Sequence, residues 1–381
     1  MDKTDRLQEQ LIEELKRARF ITRPEVDAAF RAAPRHLFLP DLPVAEVYTD
    51  KAIPTKYESG VPISSSSQPA IMAIMLEQLQ LAPDEHVLEI GAGTGYNAAL
   101  MGHLLGPAGR VTTIDIDQDI VDQAQAHLQQ ARTLNVDVIC ADGGYGYPPA
   151  APYNAIIATV GVWDISPHWL EQLCEGGRMV LPLSLRTLQF STEFEKRGER
   201  LVSTSIRQCG FMPLRGAFAG PMATVQIGPI TVGAEDAGQL KPTLANLLEK
   251  KGREQHLFGA SGDIFRSLVE YIALHSSTFF TLIDYEKEKF DQEFSFAMMA
   301  GDTGLAILLP PAPENGHRVS VRVYGDDAGL ALLNQLIVDW EGWGRPALER
   351  ATITAAPLGS MPILPDELVI PKKWMEYHIR Y

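Results

Sequence analysis

The sequence predicts an α/β domain, a mainly parallel sheet covered by helices on both faces, followed by an α+β domain. Short apolar runs alternate with helical stretches between His86 and Leu183. The first of those runs ends in alternate glycines, Gly91, Gly93 and Gly95. The chain has 381 residues, more than the roughly 100–200 that an average domain needs. The expected division is 1–80 for N-terminal helices and a long loop, 81–215 for the sheet core and 216–381 for the second domain.

Residues Asp5 to Arg19 predict an amphipathic helix, because Leu7, Leu11, Ile12 and Leu15 recur at helical spacing. A short helix is expected from Pro24 to Ala33, then an apolar segment closed by prolines, Pro34-Arg35-His36-Leu37-Phe38-Leu39-Pro40. Lys51 to Pro69 reads as a loop, with Gly60, three prolines and the run Ser64-Ser65-Ser66-Ser67. Gln68 to Leu79 is helical, with Ile71, Ile74, Met75 and Leu79 on one face. His86 to Ile90 is a buried strand. Helices at Ala98–Leu105 and Ile120–Leu134 then alternate with strands at Arg110–Asp115, Val136–Cys140, Tyr153–Thr159 and Met179–Leu183. Right-handed crossovers leave few topologies for such a series. Ser191 to Arg207 reads as a closing antiparallel pair.

The character changes near Gly210 to Gly220. Helices are expected at Lys241–Leu248, Ile264–His275 and Ala328–Trp340. Strands are expected at Phe279–Ile283, Phe294–Met299, Leu305–Leu309, Val319–Val323, Ala351–Ala355 and Trp374–Ile379, with a hairpin turn at Gly301-Asp302-Thr303-Gly304. Trp340 and Trp343, three residues apart, are expected on one helix face and in the core.

Composition narrows the partners. A formal net charge of −15 without a basic run argues against nucleic acid. Cys140, Cys174 and Cys209 are widely spaced and form no CxxC pair, which argues against a disulfide framework or a cysteine-rich zinc site. They are expected as buried thiols in a reducing cytoplasm. The polar N-terminus lacks a signal-peptide pattern and no apolar stretch is long enough to span a bilayer, so a soluble cytoplasmic protein without a membrane partner is expected. No cluster has metal-ligand spacing, and His36 and His168 are isolated and read as structural.

The loop after the first strand carries the chemistry. Glycines allow a tight turn and a close backbone approach to a ligand. In open parallel sheets ligands bind beyond the carboxyl ends of strands, where this loop falls. Its spacing is GxGxG rather than the GxGxxG of dinucleotide folds, which favours a cofactor without a pyrophosphate. Asp115 ends the second strand, where a carboxylate hydrogen-bonds a ribose diol. Asp142 follows the third strand and is placed to accept from an adenine amino group, while Gly143 lets the backbone amide reach the ring.

With Pro34-Arg35-His36-Leu37-Phe38, Ser67-Gln68-Pro69, Val87-Leu88-Glu89-Ile90-Gly91-Ala92-Gly93-Thr94-Gly95-Tyr96, Asp142-Gly143 and Gly176-Gly177-Arg178-Met179-Val180-Leu181-Pro182, the chain resembles the protein-L-isoaspartate O-methyltransferases over roughly residues 5 to 215. The resemblance implies a seven-stranded Rossmann-like fold, S-adenosyl-L-methionine as cofactor and S-adenosyl-L-homocysteine as product. It implies cofactor contacts at Glu89, Gly91, Ala92, Gly93, Gly95, Tyr96, Asp115, Asp142 and Gly143, and a serine beside the methyl group and the substrate carboxylate at Ser67. The implied reaction is methyl esterification of an aspartyl or isoaspartyl carboxylate, the ester being able to close to a succinimide.

Two segments depart from the family pattern: the approach Gly60-Val61-Pro62-Ile63-Ser64-Ser65-Ser66 to Ser67, and Thr159-Val160-Gly161-Val162-Trp163-Asp164 after the fourth strand. The tail beyond the first domain resembles extended members found with ribosomally made peptides, where one aspartate of a precursor peptide is methylated. The alternatives are a repair enzyme with an added domain and a catalytically weak fold that binds peptide. Ser67 has a local alternative as the N-cap of the following helix, with Pro69 in its first turn.

Overall fold

The computed structural model describes residues 2–221, 223–234, 237–284, 294–311 and 316–381. The chain starts with α1 (Lys3–Arg17), closed by a capping box in which the Asp2 and Asp5 carboxylates each accept from the other's backbone N–H. Its Leu11, Ile12 and Leu15 are buried. After α2 (Pro24–Ala32) and a 3₁₀ turn at Arg35–Phe38 comes the short α3 (Val44–Val47).

The next segment corrects the loop expected at Lys51–Pro69. It folds as an antiparallel hairpin of β1 (Ile53–Glu58) and β2 (Val61–Ser66). Ser59 and Gly60 have φ of 51° and 79°, the two left-handed positions of a type I′ turn. In a hairpin of two strands both are edges, so Pro54 and Pro62 interrupt no central ladder. The prolines that signal a loop are therefore compatible with strands.

The series of alternating elements follows: α4 (Pro69–Leu79), β3 (His86–Ile90), α5 (Tyr96–Leu105), β4 (Arg110–Asp115), α6 (Gln118–Gln130), β5 (Val136–Cys140), β6 (Tyr153–Ala158), α7 (Pro167–Gln172), β7 (Leu173–Leu185), β8 (Leu188–Arg197) and β9 (Arg200–Gln208). Their strands lie in the order β9-β8-β7-β6-β3-β4-β5. Pairs from β7 to β5 are parallel, and β7, β8 and β9 are antiparallel. This is the expected Rossmann-like α/β core. The strand order reverses beside β3, so the glycine loop that ends β3 opens at the switch point.

The rest of the chain holds β10 (Ala223–Ile227), β11 (Ile230–Ala234), α8 (Ala237–Leu248), β12 (Arg253–Gly259), α9 (Gly262–His275), β13 (Phe279–Ile283), β14 (Phe294–Ala300), β15 (Gly304–Leu309), β16 (Arg318–Gly325), α10 (Ala328–Gly342), β17 (Thr352–Pro357), β18 (Leu368–Pro371) and β19 (Met375–Arg380). Among the described residues, β10 to β16 form one antiparallel sheet, ordered β10-β11-β13-β14-β15-β16-β12. The last three strands do not join it. They return to the first sheet, where β17 pairs with β9 through Thr354↔Val202 and Ala355↔Leu201, and β19 and β18 follow outward. Residues 216–381 thus divide between two sheets rather than forming one separate unit. Capping β9 removes an exposed sheet edge, which is a liability in any β structure.

The two sheets also share a core. The cluster that contains Ile156, Leu181 and Phe194 is continuous with Leu268, Val321 and Trp340. Trp340 is fully buried and its indole N–H donates to Ser267 Oγ at 3.0 Å. Trp343, by contrast, is 52% exposed, because α10 has ended at Gly342 and Trp343 is its C-cap. The expectation that both tryptophans pack in the core holds for Trp340 alone. The cysteines also differ from expectation: Cys140, at the end of edge strand β5, is exposed and the other two are half-buried. Among the described residues no helix is long and apolar enough to cross a membrane.

Glu270 on α9 is buried and accepts from Leu348 N at 3.3 Å. Burial pushes its carboxyl up to about 7. A carboxyl whose native pKa lies above its unfolded value stabilises the fold at low pH and loses that contribution as pH rises through about 7. The shift corresponds to roughly 3–4 kcal/mol. Thermal melts are expected to show stability falling between pH 5 and 8, with Glu270→Gln flattening part of that slope; equal slopes in the two proteins would contradict this.

Candidate active site

Gly91, Gly93 and Gly95 have φ of +99°, +50° and +83°, all in the left-handed region. Gly91 N and Ala92 N donate to Ile114 O at 2.8 and 3.0 Å, which pins the loop to the end of β4. A Cβ on Gly91 would meet Thr159 Oγ1 at 2.8 Å and Val160 Cγ1 at 3.0 Å. Gly95 is the N-cap of α5, and Tyr96 opens that helix, buried against the rings of Phe30 and Phe38. Burial raises the Tyr96 phenol far above its ordinary range. The loop forms one wall of a cavity of about 530 Å³, within the usual range for small-molecule sites.

The residues singled out from sequence fall into two sets. Ser67, Gly91, Ala92, Gly93, Tyr96, Asp115 and Gly143 line the cavity. Asp115 is half-buried and accepts from Gly93 N at 3.2 Å and Asp117 N at 3.3 Å; burial raises its pKa. Gly143 packs so closely that a Cβ would meet Ile90 Cγ2 at 2.6 Å. Glu89, Gly95 and Asp142 stand behind the wall. Glu89 is fully buried, and Asn97 Nδ2 and Thr113 Oγ1 each donate to it at 2.7 Å. Burial pushes its carboxyl up to about 7. It braces the end of β3 against β4 and α5. Asp142 accepts from Gly144 N at 2.9 Å and from Ala217 N at 2.7 Å, so it joins the turn after β5 to the segment after β9.

Ser67 is half-buried beside the glycine loop. It is not an N-cap: Gln68 holds that position on α4, and the Asp50 carboxylate accepts from Ala70 N at 2.9 Å in place of a capping serine. Among the described residues the Ser67 hydroxyl has no hydrogen-bond partner, and it is available to a ligand. The serine run follows strand alternation, with Ser64 and Ser66 buried and Ser65 and Ser67 half-buried. His36 is held by Tyr48 at 2.8 Å and His168 packs against Tyr145 and Phe218; neither lines the cavity.

Two groups of residues had no site role assigned from the sequence. The first is Arg35, which is fully buried. Its guanidinium donates to Val47 O (2.9 Å), Thr49 O (3.1 Å), Lys51 O (3.2 Å), Ser66 Oγ (3.3 Å) and Ser67 O (3.0 Å). It fixes the backbone that presents Ser67. The second is an ion network at the rim. Asp117 pairs with Arg215 at 2.8 Å and with Lys56 at 2.9 Å, tying the segment after β9 and the hairpin to the start of α6. Arg215, then Lys56, hold the Asp117 carboxyl below its ordinary range. The partners are 61 and 98 residues from Asp117, so no local pattern announces them.

The family model described as Protein-L-isoaspartate(D-aspartate) O-methyltransferase matches residues 6–218, more than half of the chain. The chain belongs to this family. A curated relative of that name from Methanoculleus marisnigri is 37% identical over 217 residues, 57% of this chain and 95% of the relative. One from Thermotoga maritima is 30% identical over 324 residues, 84% of this chain and 88% of the relative, so the likeness extends well past the first domain. A solved structure of a protein-L-isoaspartate O-methyltransferase superposes with a TM-score of 0.54 at 26% identity, covering 91% of this chain and 96% of the other.

Protein-L-isoaspartate O-methyltransferases use S-adenosylmethionine, and the cavity fits that cofactor. Its wall is packed so closely that a Cβ on Gly91 would displace Thr159 and Val160 and one on Gly143 would displace Ile90, all of which line the cavity, and Asp115 presents a carboxylate at the strand end where a ribose diol is recognised. Gly91→Ala is expected to weaken S-adenosylhomocysteine binding at least tenfold, because it combines a left-handed φ with the contact on Thr159. Gly106, at φ +71° with open space around it, is the comparison: Gly106→Ala should lower stability by about 1 kcal/mol and leave affinity within twofold. Calorimetry on both variants checks this, and equal affinities would refute the crowding argument.

Proposed function

We propose that the chain esterifies an aspartyl or isoaspartyl carboxylate in a protein or peptide, giving a methyl ester able to close to a succinimide. The observation that carries this is the unpartnered Ser67 hydroxyl on the same cavity as Gly91, Gly93 and Asp115. When bound, S-adenosylmethionine supplies an electrophilic methyl group on a sulfonium sulfur. A carboxylate is already ionised at neutral pH, so the acceptor needs no general base. The cavity wall agrees: among the described residues that line it there is no His, Lys or Glu, and burial pushes the Cys209 thiol there up to about 12.

What the protein must supply is alignment and dryness. Ser67 donates a hydrogen bond that orients the acceptor carboxylate, and Arg35 holds the Ser66–Ser67 main chain from behind. Thr159 and Val160 close the wall beside Gly91. Asp115 holds the ribose, Gly143 offers its backbone to the adenine ring, and Asp142 keeps the turn that carries Gly143 in place. A dedicated peptide as substrate is favoured by the hairpin beside Ser67, where Tyr57 and Val61 are 59% and 61% exposed.

Ser67→Ala is expected to lower kcat tenfold or more and leave S-adenosylhomocysteine affinity within twofold, whereas Asp142→Ala weakens that affinity; the reverse pattern would exchange their roles. Generic isoaspartyl peptides are expected to be methylated slowly in a radiolabelled methyl-transfer assay. Brisk turnover of them would make the chain a repair enzyme with an added domain.

A further inference from the structure

Beyond β6 the chain runs through Thr159 to Ile165 and meets the cofactor cavity at one end and the C-terminal strand at the other. At the cavity end Thr159 Oγ1 donates to Gly91 O at 2.7 Å, and Val160 lines the wall. The middle is pinned by Gly161 N to Met212 O at 2.7 Å, Leu214 N to Gly161 O at 2.8 Å, Val162 N to Pro182 O and Ser184 N to Val162 O, both 2.8 Å. The far end is held by residues more than 200 positions away. Asp164 is buried and both of its carboxylate oxygens are engaged, by Trp374 N at 2.8 Å and by Tyr377 Oη at 2.7 Å. Tyr377 Oη in turn accepts from Ile165 N at 2.9 Å. Lys372 donates to the carbonyls of Trp163 and Ser184, and its ammonium lies 5.6 Å from the Trp163 ring centroid and 4.9 Å from that of Tyr377.

We propose that the C-terminal strand β19 and the residues just before it act as a strut for the acceptor side of the cavity, with Asp164, Lys372 and Tyr377 as positioning residues for the peptide carboxylate. None of the three lines the cavity; each acts through the backbone of 159–165. The geometry is specific. A buried carboxylate left without donors is costly, so Asp164 holds its place only while β19 is docked. Docking of β19 on β17, and of β17 on β9, thereby sets where Val160 and Thr159 stand relative to Gly91. The tail is in this sense part of the active-site wall of the first domain, reached from outside. The proposal rests on the reading that a peptide carboxylate is methylated in this cavity.

Tyr377→Phe and Lys372→Met test it, the first removing one hydroxyl and the second keeping the side-chain stem. Hydrogen exchange is expected to quicken at least tenfold at Gly161 and Val162, whose own bonds the substitutions do not touch. KM for an isoaspartyl or precursor peptide is expected to rise at least fivefold, with S-adenosylhomocysteine affinity within twofold of the parent. Glu367→Gln is the comparison: Glu367 accepts from His378 and Arg380 on the same strand, away from 159–165. It should lower the melting temperature without moving exchange at Gly161 or KM. Parent-like exchange and KM in both strut variants would overturn the proposal, as would quickened exchange with parent-like KM, or a Glu367→Gln variant that shifts Gly161 and KM as Tyr377→Phe does. If the parent protein methylates no peptide, the proposed function fails, and the exchange arm still decides whether the strut exists.

Discussion

The structure turns on a close backbone approach at the carboxyl end of β3, where Gly91 lies against Thr159 and Val160. Only a residue without a side chain lets the ends of β3 and β6 come so near each other while the chain of Gly91 turns with positive φ. Thr159 Oγ1 closes the contact on Gly91 O, and Ile114 O closes it from the β4 side. Three strand ends are thereby locked around one glycine. The cavity is the space left in front of them, and every other wall is built to reach that point.

The remaining walls come from distant parts of the chain. The hairpin of β1 and β2 brings Ser67 forward, held from behind by Arg35. The segment after β9 lines the cavity as well, tied by Arg215 to Asp117, which also holds Lys56 of the hairpin, and by Ala217 N to Asp142. The base of the glycine loop is braced by Glu89, fully buried, which accepts from Asn97 on α5 and Thr113 on β4. Neither Glu89 nor Asp142 lines the cavity: Glu89 accepts from side chains on α5 and β4, and Asp142 from the backbone N–H groups of Gly144 and Ala217. The charge that the site presents to a ligand is set by Asp115 and Arg215, both on the cavity wall.

Much of this was legible in the sequence. The alternating apolar runs specify buried parallel strands, because a strand covered on both faces must be apolar throughout. The GxGxG spacing and the carboxylates at consecutive strand ends follow from local chemistry as well. The misreadings share a cause. Lys51–Pro69 has loop composition, yet two paired edge strands tolerate those prolines. Ser67 has the residue type of an N-cap, but Asp50 reaches the helix start instead. Strands β10, β11, β12 and β18 carry weak patterns; β12, at a sheet edge, is mostly exposed.

Local patterning is enough to specify strands β3 to β7, helices α5 and α6 between them, and the glycine turn after β3, since these depend on residues close together in the chain. The tertiary structure decided which residues surround Ser67, where Asp117 finds its cations and which sheet receives the last three strands. Those choices depend on pairing an exposed edge such as β9, and on satisfying buried charges such as Arg35 and Asp164. An edge or a buried charge is satisfied by whatever the fold brings within about 3 Å, and separation along the chain carries no information about that.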